Sequence, residues 1–140
     1  MSLTDIFSIT ASALSAQSVR LNTTASNLAN VDAVAGSAEE VYKARHPIFK
    51  SFMISGGQFS NNPAAMGVKV TEIYESTAEA QIRHQPDHPL ADENGNVYMS
   101  NVNMIEEMTN MIEASRSYQT NVQLANTAKQ LIQQTLQLGK

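Results

Sequence analysis

The sequence predicts a mainly α chain with a small β-rich insertion: long N- and C-terminal helices pairing as a coiled-coil-like stem, with a central short-strand knob. Three observations carry this prediction. Both ends of the 140-residue chain repeat small and apolar residues in alternating steps of four and three, the middle does not, and most of the charge lies in the middle. The first stripe is Phe7, Ala11, Leu14, Ser18, Leu21, Ala25 and Leu28; the second is Met104, Met108, Met111, Ser115, Tyr118, Val122, Ala125, Lys129, Ile132 and Leu136. Such spacing lays one stripe along each helix and asks for a partner helix. Two terminal helices able to pair around a non-helical centre describe a subunit built for assembly, not an enzyme.

Helix one is expected over residues 3–30, ended by the stretch from Val31-Asp32-Ala33 to Gly36-Ser37. We divide the chain into an N-terminal stem helix (1–35), a central β-rich and loop segment (36–102) and a C-terminal stem helix (103–140). In the centre, Ile48, Phe52 and Ile54 alternate with Phe49, Ser51 and Met53 before the breaker pair Gly56-Gly57. Val68 and Val70 alternate with Lys69 and Thr71, and the phase change at Ile73-Tyr74 suggests a bulge. Further short strands are expected at Ala80–Arg83 and, after the turn Asp92-Glu93-Asn94-Gly95, at Val97–Met99. Helix two is expected over 104–137, with Asn103 as N-cap, Glu106 at the third helical position, and Gly139 past the last turn. A helix of that length extends about 50 Å. It needs support from a long bundle or from other subunits.

Composition narrows the function. Charged residues make up 16% of the chain, against the usual quarter or so, and across residues 1–32 only Asp5, Arg20 and Asp32 are charged. Hydroxyls and amides cost less to desolvate than ammonium and carboxylate groups, so these helices suit burial on several sides by neighbouring copies. A net charge of −4 and the lack of a basic patch argue against nucleic acid. No cysteine is present, which removes disulfides, zinc-thiolate sites and thiol nucleophiles. No run approaches the length of a membrane span, so no membrane insertion is expected. Ser, Thr and Gln interrupt every N-terminal apolar stretch, so export, if it occurs, should need no cleaved signal.

Candidate chemistry is thin. His84, Asp87, His88 and Asp92 cluster in sequence, but Pro86 and Pro89 prevent a regular helix from presenting them as metal ligands. Glu106 and Glu107 are adjacent and diverge on a helix, so they and Glu113 are expected to face solvent or a basic neighbour. No phosphate loop or nucleophile elbow is present. We therefore expect no catalytic residue, no metal and no cofactor. A stripe of methionines is usually just core, and in a polymer its unbranched thioethers can also adjust to non-equivalent neighbours. Arg116, beside Ser115, is expected either to bond across the helix pair or to face solvent.

The stretch Ser12-Ala13-Leu14-Ser15-Ala16-Gln17-Ser18-Val19-Arg20-Leu21-Asn22, with Ala25-Ser26-Asn27-Leu28-Ala29-Asn30, resembles the N-terminal signature of bacterial flagellar rod and hook proteins. The tail Ala114-Ser115-Arg116-Ser117-Tyr118-Gln119-Thr120-Asn121-Val122, with Asn126-Thr127-Ala128-Lys129 and Thr135-Leu136-Gln137-Leu138-Gly139-Lys140, is similar to that family's C-terminal signature. Tyr42-Lys43-Ala44-Arg45, His88-Pro89-Leu90-Ala91-Asp92 and Asn101-Val102-Asn103 are most similar to its proximal-rod members. The chain departs from the pattern at Asn96, where an aromatic usually follows the turn glycine, and at Ser100, where a proline usually precedes Asn-Val-Asn.

The resemblance implies a structural subunit of the basal-body proximal rod in the periplasm, made in the cytoplasm and exported uncleaved by the flagellar type III apparatus. It implies helical polymerisation through the terminal helices, which surround the export channel. The implied partners are other copies of the chain, neighbouring rod proteins of the FlgB, FlgF, FlgG and FliE types, and the export apparatus. The expected assembly interface is Phe7, Leu14, Leu21, Asn27, Leu28 and Asn30 on helix one. On helix two it is Met104, Met108, Met111, Ser115, Arg116, Tyr118, Asn121, Val122, Ala125, Asn126, Ile132 and Leu136. The alternative is a soluble helical adaptor or secretion chaperone that binds one partner through its termini. Such a chaperone would hold a stable dimer with ordered ends, whereas a rod subunit would be monomeric until assembled.

Overall fold

The computed structural model describes residues 3–54 and 66–138, so Gly56-Gly57 and Gly139 lie outside the described residues. The elements are α1 (Leu3–Ala29), β1 (Val34–Ala35), β2 (Arg45–Met53), β3 (Met66–Glu75), β4 (Gln81–His84), β5 (Asn96–Met99) and α2 (Met104–Leu138). Two long terminal helices thus flank a small antiparallel insertion, as the heptads and the uneven charge predict.

The helix ends follow local chemistry. Asn103 Oδ1 accepts from the Ile105 and Glu106 amides at 3.1 and 3.4 Å, satisfying two of the orphan donors of the first turn of α2. At the close of α1 the Asn30 amide bonds the Ser26 and Asn27 carbonyls at 3.2 and 3.1 Å. Its side-chain Nδ2 also returns to the Ser26 carbonyl at 2.8 Å, so Asn30 stops its own helix.

The helices run antiparallel. Arg20 donates to Asn110 Oδ1 at 3.0 Å and lies 3.6 Å from Glu113, while Phe7 and Ile132 line a common groove at the other end. Most of the buried residues on these two helices are small or hydroxylated (Thr10, Ala16, Thr23 and Thr24 on α1, Ala114 and Ala128 on α2), and Asn27 and Glu107 are buried with them. Each buried hydroxyl turns back onto its own helix, as in Thr10 to Ile6 at 2.9 Å and Thr23 to Val19 at 2.8 Å, so burial leaves no donor unmet.

The β2–β3 hairpin packs along α1. The Val68 amide donates to Ser12 Oγ at 3.2 Å, and buried Gly67 allows the approach: a Cβ there would stand 2.9 Å from the Phe52 ring and 3.0 Å from Ser12 Oγ. The register passes from Ile48↔Glu72 to Phe49↔Val70, which makes Thr71 the extra residue of a bulge. The irregularity therefore sits two residues before the Ile73-Tyr74 phase change that the sequence suggested. A second sheet, in the order β1-β5-β4, surrounds Val97, which is fully buried. Its short partner β1 pairs only Val34↔Met99 and Ala35↔Tyr98, too few residues to give a periodic signal. Ser100 has a specific use: its amide donates to the Ala33 carbonyl at 3.1 Å, a bond that a proline at this position could not make.

Candidate functional site

The seam between the helices runs through Thr10, Ala13, Gln17, Arg20, Thr24 and Asn27 on α1. On α2 it runs through Glu107, Asn110, Ala114, Ser117, Asn121, Ala125, Ala128 and Ile132. The stripes expected from the sequence start about 100° to one side of it, one residue along each helix. On α1 the stripe stays one residue beyond the seam throughout, and on α2 it meets the seam only at Ala125 and Ile132. Where they lie off the seam they remain uncovered. Phe7 is 49% exposed, Met104 45% and Met108 49%, and Leu14, Leu21, Met111, Ser115 and Val122 are half-buried.

Both off-seam stripes lie on the same side of the helix pair. Phe7 with Lys129 and Ile132 lines the groove between the helices there. The opposite side carries the hairpin, where Ser12, Ala16 and Val19 meet Phe52, Val68 and Val70. Among the described residues, the helix pair thus has one face covered by its own chain and one open face. The open face is bounded by Phe7, Leu14 and Leu21 along one edge and by Met104, Met108, Met111 and Ser115 along the other.

Other expected interface residues occupy different places. Asn27 is fully buried. Its Nδ2 donates to the Arg45 carbonyl at 2.8 Å, and its Oδ1 accepts from the Arg45 amide at 2.9 Å and the Tyr42 hydroxyl at 3.0 Å. Its amide is thus bonded inside the protomer, fastening α1 to the start of β2. Arg116 is exposed, and the bond across the helix pair is made by Arg20. Asn121 is half-buried on the seam, while Asn126, Tyr118 and Leu136 are exposed.

The sequence reading missed Glu107. Expected to face solvent or a basic neighbour, it is 2% exposed, with Oε1 4.0 Å from His46 Nδ1 and Oε2 without a hydrogen-bond partner among the described residues. Extending the three-four spacing of Ala114, Asn121 and Ala128 back by one heptad reaches position 107. That pattern of small residues was the available signal.

The His84–Asp92 loop is held by turn chemistry. His84 Nδ1 lies 3.2 Å from Asn96 Oδ1, and His88 Nδ1 accepts from the Leu90 amide at 3.1 Å. Asp92 Oδ1 accepts from the amides of Asn94 and Asn96, both at 2.8 Å. The Asn96 amide leads in holding the Asp92 carboxyl below its ordinary range, partial desolvation opposes it, and Asn94 and Tyr98 assist. Among the described residues no three His, Asp or Glu side chains converge as metal ligands, and no helix is long and apolar enough to cross a membrane.

Residues 7–36 match the family described as flagella basal body rod protein, and residues 93–138 match the C-terminal family of flagellar basal body rod FlgEFG proteins. The chain is 45% identical to flagellar basal-body rod protein FlgC of Salmonella typhimurium over 140 residues, covering all of both chains. It is 46% identical to FlgC of Yersinia enterocolitica and 37% identical to FlgC of Buchnera aphidicola subsp. Acyrthosiphon pisum, again over the full length of both.

Proposed function

The chain belongs to the flagellar basal-body rod protein family, and on that basis we propose that it is a structural subunit of the proximal rod that polymerises through the open face of its helix pair. The observation that supports this reading most is the open face itself. An antiparallel helix pair with a hairpin on one side and Phe7, Leu14, Leu21, Met104, Met108 and Met111 on the other lacks a layer. Completing the burial of each such side chain stabilises the assembly by roughly 1 kcal/mol, and methionine adapts to neighbours that are not equivalent. In this reading the low charge of α1 lets it sit among other helices around the export channel. The partners are further copies, neighbouring rod proteins and the export apparatus. Charges that discriminate among neighbours concentrate in the central segment, where mismatched pairs penalise wrong contacts. We assign the chain no catalytic role.

Leu21→Asp or Met111→Asp, each placing a carboxylate on this face, tests the proposal. Both variants should remain soluble and fail to restore swimming to a strain lacking the gene. Wild-type swimming with either would remove the open face from the assembly.

A further inference from the structure

We propose that Asn94 is a spontaneous deamidation site and that the turn anchored by Asp92 sets its rate. Asn94-Gly95 is the only Asn-Gly step in the chain, and the Asn94 side chain is exposed. The chemistry needs nothing but water. The Gly95 backbone nitrogen attacks the Asn94 side-chain carbonyl carbon, forming a C–N bond as the amide C–N bond breaks. Ammonia departs carrying the proton that the Gly95 nitrogen gives up. Water then opens the cyclic imide at either carbonyl, leaving aspartate or isoaspartate. Glycine favours the first step because no Cβ crowds the attacking nitrogen.

The turn opposes that step. The Gly95 N–H is engaged by the Asp92 carbonyl at 2.9 Å, so the nucleophile's proton is already used. Asp92 Oδ1 grips the amides on both sides, Asn94 and Asn96 at 2.8 Å each, and the Tyr98 hydroxyl reaches Oδ2 at 3.4 Å. Attack requires the Asn94 backbone to rotate, which breaks several of these bonds together.

The same geometry predicts the damage. Gly95 has φ +74°, and a Cβ on it would meet Pro86 at 3.0 Å and the His84 ring at 3.1 Å. Its carbonyl accepts from the Gln85 amide at 2.8 Å. Isoaspartate lengthens the backbone by one atom immediately before Gly95, shifting a residue that is held closely on its other side, and adds a negative charge beside Asp92 and Glu93. The Gln85–Gly95 bond and the adjoining end of the β4–β5 ladder should therefore open.

The experiment incubates the full-length protein at mildly alkaline pH and follows position 94 by peptide mass mapping, with isoaspartyl methyltransferase labelling as the isoaspartate readout. In urea, Asn94 should deamidate before any other asparagine, and in the folded protein it should do so more slowly by tenfold or more, on the order expected from losing a charge-assisted hydrogen bond. Asp92→Ala should recover most of the difference, Asp92→Ser part of it, and Tyr98→Phe little, because it leaves the amide bonds in place. Converted protein should exchange the Gln85 amide faster. Equal rates folded and in urea, or rates in both Asp92 variants as slow as in the folded wild type, would overturn the gating. A different asparagine reacting first would overturn the site.

Discussion

Asn27→Ala tests how the stem is fastened to the central segment. The substitution removes the donor to the Arg45 carbonyl and the acceptor shared by the Arg45 amide and the Tyr42 hydroxyl. The tyrosine keeps a second partner, Ser26 Oγ at 3.1 Å, so the two main-chain groups of Arg45 bear the loss. A buried polar group without a partner costs about 1–3 kcal/mol. Two such groups, beside a cavity left by a fully buried side chain, give about 2–5 kcal/mol. Against a total stability of about 5–15 kcal/mol for a typical domain, that is a large fraction. The assay is urea unfolding of the purified protein followed by circular dichroism, in which the midpoint should fall by about 1–2 M. Tyr42→Phe should cost less than about 1 kcal/mol by the same argument. An Asn27→Ala midpoint within error of wild type, or no lower than that of Tyr42→Phe, would refute the reasoning.

Two further outcomes follow from local chemistry. Asn103→Ala should destabilise the start of α2 by about 1 kcal/mol, seen as faster amide exchange at Ile105 and Glu106 with little change beyond Ala114. Because its bonds from Asn96, Asn94 and Tyr98 hold the Asp92 carboxyl low, the turn's stabilisation should be complete above the unfolded value of about 3.9 and lost as pH falls through the lower folded value. An NMR titration of the Asn94 and Asn96 amides should therefore show a midpoint below 3.9, and a midpoint at or above that value would contradict the bonding.

The helices were legible because their ends carry explicit signals: Asn103 caps α2, and the periodicity of α1 stops within a residue of the expected place. The interior seam was not legible, for a physical reason. Apart from Ile132 its residues are small or polar (Ala, Thr, Ser and Asn, with Gln17, Arg20 and Glu107) and carry little hydropathy, so apolar heptads mark the flank instead. The flank residues Phe7, Leu14, Met104 and Met108 are the more hydrophobic set because, in our reading, they await a partner outside the chain. Glu107 was misplaced by the same logic, since a carboxylate is seldom buried. Asn27 and Asn30 stood out as polar residues near a stripe, but the sequence alone does not distinguish an amide bonded within the protomer from one bonded across an interface. Strand existence followed from alternation at 48–53 and 68–71. The bulge at Thr71 and the two-residue β1 depend on cross-strand register, which short alternations specify weakly.

The most direct test of the open face uses the absence of cysteine in the chain. Met108→Cys supplies a single thiol on that face, and its maleimide labelling can be compared in the free subunit and in purified basal bodies. The account predicts ready labelling of the free subunit and protection once it is assembled, with reactivity regained on dissociation in denaturant. Equal labelling in the free and assembled states would contradict it.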